Sequence, residues 1–144
     1  MGTRLRNLMM GCVAGTAIFV LAVTAFAHHS AAEFDQSNPI TITGMVKEFN
    51  FDNPHVSIKV EVKGANGQTE EWTTFGSPPN ALVRVGWSGS ILKAGEQVSI
   101  LGLPSRYGRK VMLQVKITRA NGESLPVGVS EQGYLNRAER EGKK

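Results

Sequence analysis

The sequence predicts an all-β fold, a small OB-like Greek-key barrel of about five strands with one short helix between the third and fourth. Three observations carry that prediction. Apolar and polar residues alternate with a period of two in short segments at regular spacing, Asn-Gly pairs stand between such segments, and helix punctuation occurs once in that region, after the third strand. Residues 40–49 open with Ile40 and Ile42 alternating against threonines, and Gly44 suggests a bulge or sharp bend. Residues 55–63 give the clearest strand. Val56, Ile58, Val60 and Val62 alternate there with Ser57, Lys59, Glu61 and Lys63, so one face enters a core and the other meets water. Asn66-Gly67 supplies the positive φ of a tight turn, and the third strand follows over 70–75.

Residues 77–86 carry the helix signals. Ser77 suits the N-cap, Pro78 the first helical position and Gly86 the left-handed residue past the end, while Ala81, Leu82 and Val85 share one side. Trp87 is expected to pack this helix onto the barrel. Residues 97–103 and 110–118 make the next two strands, joined by the loop 104–109, and the Asn121-Gly122 turn leads to a short apolar stretch over 125–129. Residues 130–144 are rich in charge and read as a polar, solvated tail. This order is that of an OB barrel whose helix plugs the bottom. A strand meander under a lid helix has the same order.

Ahead of the barrel, Arg4 and Arg6 precede a charge-free apolar stretch over 8–27 that ends in Ala25-Phe26-Ala27, the small residues a signal peptidase needs. The expectation is a signal peptide over 1–27, cleavage after Ala27, a barrel domain over 28–129 and a periplasmic location. The alternative is an uncleaved anchor, because the stretch is close to the roughly 20 apolar residues of a membrane span. Membrane contact would then run through this segment alone. Cys12 is the single cysteine and falls inside it, so the mature chain has no thiol, disulfide or Cys-based metal site. With Arg4 and Arg6 removed and all 12 acidic residues retained, 14 basic residues against 12 give a mature net charge of +2, so the pI of 9.5 overstates how basic the working chain is. So mild a surplus gives little support to nucleic acid, and no nucleic-acid partner is expected.

The segments HHSAAEFD (28–35), FDNPHVSI (51–58), GSPPNALVRVGW (76–87) and LKAGEQVSILG (92–102) resemble the markers of a bacterial family of small exported proteins known only as domain of unknown function 6152. The resemblance covers nearly the whole mature chain, with the markers in order. It implies an exported, small β-rich domain and brings no established activity. One departure is Pro79, where the family more often has the plain run G-S-P-N.

Two constellations suggest chemistry. Cleavage after Ala27 would make His28 the N-terminal residue, whose free amine and imidazole can chelate one metal ion. His29 and His55 add further nitrogen donors, a set that suits copper(II). In one arrangement His28 gives amine and ring and His55 a third nitrogen; in another the His28-His29 pair binds through amine, deprotonated amide and the His29 ring. Asp35 or Asp52 are candidates to orient an imidazole. The competing reading is a polar chain start and a half-buried His55. The second constellation is the loop Arg106-Tyr107-Gly108-Arg109-Lys110. Arg106 and Arg109 offer forked donors and Tyr107 a stacking face for a glycan or anionic ligand bound with the barrel face, whereas the plain reading is a solvated hairpin tip. No nucleophile elbow, P-loop, dinucleotide fingerprint or H-E-x-x-H is present, and Glu70 and Glu71 are adjacent strand residues on opposite faces. The expectation is a binding protein for a metal ion or small ligand and not an enzyme.

Overall fold

The structure is a computed structural model and describes residues 33–127 and Gly133. The apolar stretch 8–27, the cleavage site, His28, His29 and the tail 130–144 apart from Gly133 lie outside the described residues. Strands β1 (Ile40–Asn50), β2 (Ser57–Lys63) and β3 (Thr69–Phe75) form an antiparallel meander. Helix α1 (Pro79–Val83) follows, then β4 (Gln97–Pro104), β5 (Val111–Arg119) and the short β6 (Ser124–Leu125). The chain after α1 returns to pair β4 with β1, β5 pairs with β4, and a parallel pairing of β5 to β3 closes the barrel, with Thr73 facing Val111 and Phe75 facing Leu113. The closed circuit β1-β2-β3-β5-β4 with a helix after β3 is OB-like. It excludes the open meander, which has no β1–β4 and no β3–β5 ladder.

The alternation in β2 works as the sequence implies. Val56, Ile58 and Val60 are fully buried, and they meet Ile42, Val46, Val98, Ile100, Met112 and Ile117 from the neighbouring strands. Each such side chain removed from water contributes about 1.5–3 kcal/mol, which is what drives the circuit to close. The two Asn-Gly turns are the same device used twice. In Ala65-Asn66-Gly67 and Ala120-Asn121-Gly122 the glycine has φ of 79° and 86°, and its N–H donates to the carbonyl three residues back, of Gly64 and Arg119. In each the asparagine Oδ1 accepts the N–H two residues on, at 3.0 Å. These are three-residue hairpins closed by a left-handed glycine, not two-residue turns.

Gly44 does not mark the bulge. The register shift of β1 lies between Val46 and Glu48, where Lys47 is the extra residue. Gly44 instead pairs with Val62 of β2 and Val98 of β4, where β1 serves both halves of the barrel, and a Cβ there would overlap the Glu61 carbonyl.

The helix starts later than its punctuation suggests. Pro78 occupies the N-cap, Pro79 opens the helix, and the Ser77 hydroxyl donates to the Val127 carbonyl at 2.9 Å instead of capping. The C-terminus is as expected. Gly86 has φ of 94°, its N–H returns to Val83 O and that of Trp87 to Leu82 O, both at 3.1 Å, a Schellman ending. Leu82 and Trp87 are buried in the main core and the Trp87 indole N–H donates to Pro126 O at 2.7 Å, but Val85 is 42% exposed. Among the described residues no helix is long and apolar enough to cross a membrane.

Candidate functional site at the strap and the 105–110 loop

Two outer faces of the barrel carry different chemistry. On the β1-β2-β3 side, outward positions are charged and paired. Lys47 Nζ lies 2.7 Å from Glu71 and 3.5 Å from Glu61, and Lys59 Nζ lies 2.6 Å from Glu48, which also accepts from Asn50. Hydrogen bonding by the lysines, with Asn50 assisting at Glu48, holds the Glu48 and Glu71 carboxyls below the usual range, and the same contacts raise the Lys47 and Lys59 ammonium groups. A depression at one end of this face is lined by Thr43, Met45, Glu61, Lys63, Thr69 and Gln97. Trp72 is half-buried against the core, so it does not offer this face an open stacking platform.

The β3-β5-β4 side is apolar. Met112 and Ile117 enter the barrel, while Val111, Leu113 and Val115 join Phe75, Leu101 and Leu103 in a second cluster. Phe34, 3% exposed, seals it. Phe34 belongs to a strap, residues 33–35, that runs along the end of β4. Phe34 bridges to Ser105, the Asp35 N–H donates to Pro104 O at 2.8 Å, and the Arg106 N–H donates to Glu33 O at 2.9 Å.

The loop cations are all engaged by carboxylates. Arg109 pairs with Glu33, and Arg106 faces Asp35 at 3.7 Å while its Nε donates to Phe34 O at 3.3 Å. Lys110 reaches Glu70 at 2.8 Å and sits 5.2 Å over the Trp72 ring, and its hydrogen bond holds the Glu70 carboxyl below its usual range. The Asp35 carboxyl is held low chiefly by the Ser37 hydroxyl and N–H, with Arg106 adding to them. Tyr107 is 74% exposed at the tip. The loop is a half-exposed hairpin tip whose arginines pair with Glu33 and Asp35, some seventy residues earlier in the chain.

His55 is exposed and lies between Pro54, which follows a cis peptide bond, and the buried Val56. Asp52 is exposed nearby, and Asp35 is committed to Ser37 and Arg106. His28 and His29 are not described, and among the described residues no group of three or more His, Cys, Asp and Glu could hold a metal ion. Sequence reasoning missed the strap. Its only signal is an aromatic between two acids, which becomes legible only when set beside the two arginines some seventy residues later.

Fold and site together define a small OB-like barrel protein whose β4–β5 loop is clasped by its own N-terminal strap. The sequence model of the Family of unknown function (DUF6152) matches residues 17–116, more than half of the chain, and the chain belongs to that family. No curated protein matches it significantly. Two crystal structures of a mitochondrial single-stranded DNA binding protein from S. cerevisiae, Rim1, one of them selenomethionine-labelled, are similar to it. Each has 13% identity and a TM-score of 0.45 over 58% of this chain and 93% of the other. Nothing about this chain's partner follows from that likeness.

Proposed function

We propose that this is an exported, periplasmic copper(II)-binding protein whose N-terminal histidine site is carried by the barrel and not by a free tail, and that its task is copper handling and not catalysis. The chemistry is that of the mature end. Cleavage after Ala27 gives His28 a free amine beside its imidazole, and His29 and His55 add nitrogen donors of the kind copper(II) prefers.

The observation that carries this reading is the docking of the strap only four residues after His29. Phe34 is buried and Glu33 is clasped by Arg109. Five residues of chain reach at most about 18 Å, so the reading requires only a short tether between Glu33 and the mature N-terminus. Phe75 of the apolar face pairs with Ser57, two residues after His55. A short tether of this kind keeps the effective concentration of a further imidazole high.

The test is a competitive copper(II) titration of protein exported and processed in cells, its start at His28 checked by intact mass, beside a form with one extra N-terminal residue. Tight one-to-one binding by the processed form alone is expected. Equal, weak binding by both forms would remove the N-terminal site.

A further inference from the structure

We propose that the cradle formed by the end of β4, the 105–110 loop and the outer apolar face is a recognition site for an acidic-aromatic-acidic peptide of a partner protein, occupied here by residues 33–35 as an internal stand-in. The cradle reads every part of that tripeptide. Its backbone is held by the isolated Phe34–Ser105 bridge and the bonds from Asp35 to Pro104 and from Arg106 to Glu33. Its aromatic ring fills an apolar seat against Leu103 and Val115. Its two carboxylates, one on either side of the phenylalanine, meet Arg109 and Arg106.

Those features select the class of occupant. A nucleic acid or sulfated glycan would satisfy the arginines but has no backbone N–H for the Pro104 carbonyl. A second copy of this chain carries the same tripeptide, yet exchanging it makes no contact that the strap does not already make and costs the entropy of association. A foreign peptide with better flanking contacts can win.

The stand-in lies outside the strand circuit and the main core. A partner must still outcompete a segment tethered by residues 36–39 alone, at an effective concentration on the order of millimolar. The wild-type chain is therefore a weak binder until its strap is loosened. This inference does not depend on the copper reading.

The test uses the full chain and a fluorescent peptide with the sequence of residues 30–37, followed by anisotropy. The Phe34→Ala chain should bind the peptide more tightly than wild type by about tenfold or more, since it no longer competes with itself. Adding Arg106→Ala should abolish that gain, and a peptide with alanine in place of its phenylalanine should not bind. A Phe34→Ala chain that melts cooperatively and ignores the peptide overturns the proposal, as does equal binding of a scrambled peptide. If Phe34→Ala does not melt cooperatively, the Glu33→Gln, Asp35→Asn double variant replaces it, with a gain of about threefold or more expected from the lost ion pairs and no gain overturning the proposal. Concentration-dependent dimers of the wild-type chain that vanish in the loosened variant would give the cradle to a second copy, and so overturn it as a partner site.

Discussion

The two outer faces of this barrel solve the same problem in opposite ways. The β1-β2-β3 face meets water with lysines and glutamates that neutralise one another in pairs, while the β3-β5-β4 face presents aliphatic and aromatic side chains and hides them under Phe34. An OB barrel often binds ligands on its β2-β3 side. Here that side is electrostatically self-satisfied, and the shaped, partly apolar cradle with convergent arginines lies on the other. The guanidinium donors and the aromatic seat of this chain collect at the 105–110 loop and the apolar face, where residues 33–35 occupy them.

The sharpest way to break the comparison is to remove the ring. Phe34→Ala should cost about 3 kcal/mol of stability, the usual range for a buried phenylalanine being slightly higher and this one lying outside the main core. Urea denaturation of the full chain measures it, and a loss under about 1 kcal/mol would mean that the strap only rests on the barrel.

A smaller effect distinguishes charge from apolar contact. Asp35, Glu48, Glu70 and Glu71 have carboxyls lowered in the folded state. Their contribution is therefore complete above the ordinary carboxylate range, about pH 4, and is lost as pH falls through their lowered values. Lys47 and Lys59 are raised, so theirs is complete below about pH 10 and is lost as pH rises through the raised values. Thermal midpoints should stay level between about pH 5 and pH 9 as far as these groups decide, and decline modestly beyond each end. A midpoint that climbs on acidification below about pH 4 would contradict these assignments.

Much of the barrel was legible because period-two alternation and Ala-Asn-Gly hairpins are local signals. Val56, Ile58 and Val60 reveal their burial to each other within five residues. What escaped depends on distant partners. Ser77 has the chemistry of a cap, but Pro78 and Pro79 shift the helix by one residue and free its hydroxyl for Val127, fifty residues away. Gln114 at an inward position makes sense only once the parallel β3–β5 seam brings its Nε2 to Thr74 Oγ1 at 2.8 Å. Of the candidate site, the loop arginines and His55 could be picked from the sequence by residue type. The strap could not, since three residues carry no periodicity and Glu33 and Asp35 find their guanidiniums only after the chain has gone round the barrel.

The central claim is that the chemistry of this protein gathers at the strap end of the apolar face. The most direct measurement is copper(II) paramagnetic broadening of amide signals in the processed, nitrogen-15-labelled protein. The account predicts loss of signal at residues 33–35, along 105–109 and around His55, with Lys47, Glu61 and Glu71 of the charged face left sharp. Loss centred on the charged face, or weak loss spread over both faces, would contradict it.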